Sequence, residues 1–389
     1  MSPYIVLLAL AQAILQSSNI HLTTTGSLVA LALTQNESLS TWPASVSISV
    51  MLLITIPASL IMARYGRKAG FVGAIVVGTF GAFATVIGIT EQSFAWFIGG
   101  AALMGATLAF ANFLRFAAVE LVGSEWRARA ISYVLTGGVV AAIVGPYLSK
   151  WGYTLVPQHG FAGGYLLLLP LFALALILLL FVRFRPPTTK PAAVRNSLGH
   201  LLQSRRFLTL VFLGAGAYVV MAMIMTATPL AMHHHHLGFE ATTEVIRSHI
   251  LGMFVPSFFT GHLIHRFGVR RIVISGAILY GVCILINFQP PSYWTFMSAL
   301  ILLGIGWNFL FVSASQLLTT LVEPEHQSAA QALNDFVIAG GTAAAIAMTG
   351  ALHHFAGWQV LNLWSAPLVA LLAVAGYSLG KQRPTNKAA

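Results

Sequence analysis

The stretch Ser59-Leu-Ile-Met-Ala-Arg64-Tyr-Gly66-Arg67-Lys68 decides the architecture of this 389-residue chain. It is a basic turn with glycine at its tight point, set between two apolar runs. An echo, Gly261-His-Leu-Ile-His265-Arg266-Phe-Gly268-Val-Arg270, stands in the second half of the chain. A basic turn that recurs between apolar segments points to two related halves.

Composition says what surrounds those turns. Hydrophobic residues make up 57% of the chain and charged residues 7%, with a mean hydropathy of +0.83. Soluble domains carry about 25% charged residues. A chain this apolar cannot cover a water-facing surface with polar groups, so the bilayer is its solvent. About 20 apolar residues cross the hydrocarbon layer as a helix. The sequence offers twelve such segments, at 4–32, 43–63, 69–90, 94–122, 129–150, 161–182, 207–232, 245–265, 272–288, 293–321, 329–352 and 358–380. The expected fold is all-α and membrane-integral, with six-helix bundles at 1–182 and 207–389. They are joined by a polar, basic linker at 183–206 that contains Pro186, Pro187 and Pro191.

The net charge of +11 is distributed unevenly. Arg64, Arg67, Lys68, Arg127, Arg129, Arg205, Arg206, Arg266, Arg270, Arg271 and Lys381 all fall on one side of the predicted spans. The opposite loops hold Lys150 and Arg247, while Arg115 falls within a span. This positive-inside bias sets the orientation, with both termini expected in the cytoplasm. A basic face for nucleic acid would need a soluble surface, which this chain lacks. The N-terminal apolar run has no charged segment or small-residue cleavage site before it, so it reads as the first span. One cysteine, Cys283, excludes a disulfide framework and a cysteine-based metal site.

Smaller repeats support duplication. Leu121-Val-Gly-Ser-Glu125 is echoed by Leu321-Val-Glu-Pro-Glu325. Gly137-Gly138 with Ala141-Ala142-Ile143 is echoed by Gly340-Gly341 with Ala344-Ala345-Ile346. Near the end of the fifth span, Gly145-Pro146 is expected to bend or break the helix.

Twelve spans in two halves, with basic turns after spans 2 and 8, resemble the major facilitator superfamily. Its turn motif runs Gly-x-Leu-Ala-Asp-Arg-x-Gly-Arg-Lys/Arg. Arg64, Gly66, Arg67 and Lys68 match it, with Ser59 at the first Gly and Ala63 at the Asp. Gly261, Leu263, Arg266, Gly268 and Arg270 match it in the second copy, with His265 at the Asp. Thr226-Ala-Thr-Pro-Leu-Ala231, Pro256-Ser-Phe-Phe-Thr-Gly261, Gly306-Trp-Asn-Phe-Leu310 and Gln331-Ala-Leu-Asn-Asp335 look like a widespread bacterial branch of that superfamily. Drug efflux, riboflavin uptake and siderophore traffic are known among its similar-looking members, and the motifs do not choose between them. The resemblance implies a monomeric, proton-coupled secondary transporter of a small organic solute, working by alternating access without a cofactor. It also implies that Glu120, at the end of span 4, holds the basic turn. The rival class is a receptor or assembly factor that keeps the fold and moves nothing. No phosphate-cradling loop or nucleophile–base set supports an ATP-driven pump or an enzyme.

Polar residues inside spans are the candidate site. Gln12, Gln16 and Asn19 share one face of span 1, either lining a cavity or joining helices by hydrogen bonds. Asn112, Trp307 and Asn308 are the further cavity candidates. Asp335 is the acid well inside a predicted span, and it reads as half of a gating pair, a proton carrier or a structural group; the resemblance implies Arg64 or Arg67 as its gating partner. Arg115 needs a partner, with Glu120, Asp335 and a substrate anion as the options. His265, Arg266 and Arg270 form the second gate, His265 with a pH-sensitive charge. Phe110, Phe113, Tyr218, Trp307, Phe309 and Phe311 offer stacking faces for a flat solute. His233, His234, His235 and His236 at the outer end of span 7 raise metal transport or external metal or pH sensing, although four consecutive residues cannot face one point.

Overall fold

The computed structural model describes residues 3–123, 130, 133–134, 136–184, 201–322 and 327–379. Most of the expected linker, the start of the fifth span, Glu125, Glu323, Glu325 and the basic C-terminal residues lie outside them. The chain divides into two compact units, Met1–Lys190 and Pro191–Ala389.

The first unit is built from α1 (Pro3–Thr34), α2 (Trp42–Tyr65), α3 (Arg67–Thr90), α4 (Phe94–Ala111), α5 (Leu114–Glu120), α6 (Gly137–Leu155) and α7 (Gly160–Phe181). α1 is the central helix and packs against α2, α4, α6 and α7. α1 is polar yet stable because its hydroxyls turn back on its own backbone. Ser17 donates to Ala13 O, Ser18 to Leu15 O, Thr23 to Asn19 O, Thr24 to Ile20 O and Thr25 to His21 O. In hydrocarbon an unmet hydroxyl costs several kcal/mol, so this self-pairing lets a polar sequence cross the bilayer. Close backbone approach replaces hydrophobic attraction as the packing device. A Cβ on Gly105 would strike the backbone of Ser47, and one on Gly152 would strike Gly163 and Gly164.

The second unit contains α8 (Arg205–His234), α9 (Phe239–Phe254), α10 (Ser257–Phe267), α11 (Val269–Asn287), α12 (Tyr293–Leu321) and α13 (Gln327–Ser378). α8 lies against α12 and α13, α12 against α9 and α11, and α11 against α13. Polar ties cross between these helices. Tyr280 Oη donates to Ala217 O at 2.7 Å, Asn287 Nδ2 to Asn362 Oδ1 at 2.7 Å, and His249 Nδ1 lies 2.8 Å from Leu300 O.

Among the described residues, nine helical stretches are long and apolar enough to cross a membrane. Four of the twelve expected spans are not separately counted there. The fifth begins outside the described residues and continues as α6. The eighth is broken around Val255–Pro256 into α9 and α10. The eleventh and twelfth follow one another within α13 with no loop between them, parted by the non-helical backbone of Gly357 at φ 76° and ψ 175°. Pro146 lies within α6, which runs on to Leu155. Its missing donor bends or loosens one turn rather than ending the helix.

Candidate functional site

The two basic turns have almost the same backbone. Gly66 adopts φ 87°, ψ 160° and Gly268 adopts φ 83°, ψ 147°. Each glycine ends one helix with its N–H on the carbonyl four residues back, Met62 O or Ile264 O, and starts the next helix at once. A side chain at this φ would meet its own carbonyl, so glycine is required at both positions. The duplication seen in the sequence is thus repeated in the dihedral angles.

The turns are fastened differently. In the first, Arg67 Nη2 donates to Glu120 Oε1 at 2.7 Å, and Nε lies 3.3 Å and 3.4 Å from Oε1 and Oε2. A guanidinium fork on a carboxylate fixes direction as well as distance. Lys68 Nζ donates to Leu180 O at 2.7 Å, which ties the turn to the end of α7. Arg64 is exposed and stacks over the neighbouring Tyr65 ring at 5.2 Å. In the second turn, Arg270 stands 3.8 Å over the ring of Tyr377. Arg266 lies over Phe267, and His265 is exposed. In the Leu121/Leu321 echo, Thr320 stands at the place of Glu120, so the second half has no acid there and uses an aromatic face.

Arg115 is half-buried on α5, with its guanidinium 4.9 Å over Phe116. Asn112 caps α4, and its Nδ2 lies 3.6 Å from Met51 Sδ. On α1, Gln12 is buried, while Gln16, Asn19 and Thr23 are half-buried along the same stripe. In the second unit, Asp335 accepts from Asn334 Nδ2 at 3.3 Å.

Asn308 sits in a dense set of bonds. Its Nδ2 donates to Met253 O at 2.7 Å and to Ser257 Oγ at 2.6 Å, and its Oδ1 accepts from Thr260 at 2.6 Å. Met253 O lies in the last turn of α9, just before the break at Val255–Pro256. Asn308 therefore closes the break in span 8 from α12, and both of its amide hydrogens are used.

Beside Asn308, Trp307 stacks on Phe311 with centroids 4.9 Å apart and planes 17° apart. Tyr218 meets both edge-on at 5.1 Å, and Phe254 lies 6.3 Å from Trp307. Trp307 Nε1 is buried and, among the described residues, has no hydrogen-bond partner. Phe110, Phe113 and Phe309 lie outside this cluster; Phe113 lies under Arg67.

A polar knot in the first unit escapes the sequence reading. His21 Nδ1 lies 2.7 Å from Ser149 Oγ, the His21 ring meets Tyr165 edge-on at 4.4 Å, and Tyr165 Oη lies 3.1 Å from Thr25 Oγ1. A Cβ on Gly164 would overlap the imidazole, so that glycine leaves the slot the ring fills. The available signal was a histidine within a span, opposite a glycine-rich one. The histidine tract ends α8: His233 and His234 complete the helix, His235 caps it, and His236 takes φ 56°. Leu237 N–H then returns to Met232 O, a Schellman-type closure.

Paired turns, two helical units and a polar central helix define a membrane transporter of the superfamily that the sequence resembles. The profile of the Major Facilitator Superfamily matches residues 5–255 and 217–389, and the chain belongs to that family. The chain is 37% identical to the riboflavin transporter RfnT of Brucella anthropi, over 95% of this chain and 94% of that one. It is 29% identical to the uncharacterized MFS-type transporter YddS of Bacillus subtilis, over 79% and 75%. Its fold matches the fucose:proton symporter FucP of E. coli with a TM-score of 0.66 at 13% identity, covering 98% of this chain and 99% of that one.

Proposed function

We propose that this protein carries riboflavin, or a close flavin analogue, across the bacterial inner membrane by proton-coupled alternating access. The observation that carries the reading is the 37% identity to a riboflavin transporter over nearly the full length of both chains. The ring cluster supports it. Tyr218, Trp307, Phe311 and Phe254 provide flat apolar faces from three helices, and Trp307 Nε1 provides a donor that suits the carbonyl edge of an isoalloxazine ring. Asp335 is assigned gating and proton coupling, as the acid within a predicted span.

The test is riboflavin flux. A riboflavin auxotroph lacking its own flavin transporter, complemented with this chain, should accumulate labelled riboflavin saturably, and purified protein in liposomes should do the same under an imposed proton gradient. Folded protein that moves no flavin would overturn the reading. Flavin binding without flux would favour the receptor alternative.

A further inference from the structure

The structure adds a partner to the histidine tract that the sequence does not suggest. α8 and α13 lie side by side in the second unit, and each brings histidine to the end opposite the Gly268 turn. The charge distribution predicts that this end faces outward. His234, exposed on the last turn of α8, lies beside His353 of α13, with ring centroids 5.4 Å apart and planes 41° apart. Their ring nitrogens come within 4.8 Å of one another. His353 is buried, whereas His234 is exposed.

We propose that His234 and His353 form a binding site for a late divalent transition metal, of the zinc, nickel or copper class. Two nitrogens on one tetrahedral ion, with bonds of about 2.0–2.1 Å, lie about 3.3 Å apart. A rotation of the exposed His234 side chain covers the difference, with no helix movement. Neutral imidazole suits these ions and is a poor ligand for calcium or magnesium. Water from the exposed side completes the coordination. The rest of the tract is arranged differently: the ring of His233 is 6.5 Å from that of His234 and nearly perpendicular to it. His235 lies 6.4 Å from Phe296, and His236 is spent on the left-handed turn. His354 packs against its neighbour Phe355. The site is therefore a two-helix site that borrows one residue from the tract, and metal there ties α8 to α13. It stands apart from the flavin reading, since its residues lie outside the ring cluster.

The test uses the full chain, purified without a histidine tag, with zinc as the calorimetric probe and copper as the spectroscopic one. Wild-type protein should bind one zinc ion saturably, and His234→Gln and His353→Gln should each weaken it by about tenfold or more. The triple variant His233→Gln/His235→Gln/His236→Gln should stay within about twofold of wild type. Copper bound to wild type should show hyperfine coupling to two imidazole nitrogens. Size-exclusion profiles check folding, and the exposed His234 variant decides the matter if His353→Gln misfolds. No saturable zinc binding, or loss in the triple variant with retention in His234→Gln, would overturn the proposal.

Discussion

Arg67 and Glu120 form a forked ion pair, 2.7 Å at its shortest, that pins the first basic turn to the end of the fourth span. The pair is partly exposed, with the carboxylate side chain 40% accessible, so its direct worth is about 0.5–1 kcal/mol. Glu120→Gln should lower thermal stability by that amount and slow transport more than stability alone explains. The charge-swapped Arg67→Glu/Glu120→Arg should recover part of the loss. A double-mutant cycle on melting temperature and flux measures the coupling; simple additivity would show that the two residues act separately.

Gly66→Ala and Gly268→Ala force a side chain into the left-handed region. Each should cost about 1–2 kcal/mol. Neither position has a neighbour within 4 Å of the added Cβ, so the loss is conformational and not a clash. Similar shifts of the two denaturation midpoints are expected; a neutral variant at either site would refute this.

Asn308→Leu removes the groups that satisfy Met253 O, Ser257 and Thr260. An unmet buried carbonyl costs about 1–3 kcal/mol, and hydrogen exchange should quicken around Val255–Pro256. Thr260→Val, which leaves Met253 O satisfied, should be milder.

Trp307→Phe keeps most of the stacking surface and deletes the Nε1 donor. Riboflavin KM should rise with little change in kcat, whereas Trp307→Ala should also lose stability by about 3–5 kcal/mol. Tryptophan fluorescence on flavin titration gives the parallel binding measurement. Unchanged KM in Trp307→Phe would remove the donor from the recognition scheme.

Asp335→Asn removes the acid placed within the eleventh predicted span. Flux driven by an imposed proton gradient should fall strongly, while exchange of flavin across the membrane without a gradient should persist. Loss of both assigns Asp335 to gating; loss of neither makes it structural.

The turns were legible because their demands are local: glycine, arginine and apolar flanks all lie within ten residues of each other. The break in span 8 was less so. Pro256 is plain to see, but Asn308, which compensates for it, comes from a distant helix. The same limit hides His353 from the histidine tract and Ser149 from His21. A polar residue in an apolar run announces that it needs a partner, and only the packing says which one. The junction of spans 11 and 12 was legible, since the expected gap between 352 and 358 contains Gly357, whose non-helical backbone parts two helices.

The knot around His21 also bears on how the protein is made. The hydroxyls of Ser17, Ser18, Thr23, Thr24 and Thr25 are satisfied within α1, which eases the entry of this span into the membrane as translation proceeds. Its imidazole finds Ser149 and its Thr25 finds Tyr165, residues 128 and 140 positions later. The first helix to leave the ribosome therefore finishes packing only after the sixth has been inserted. A nascent chain stopped before that point should hold α1 loosely, open to insertase chaperones and to membrane proteases.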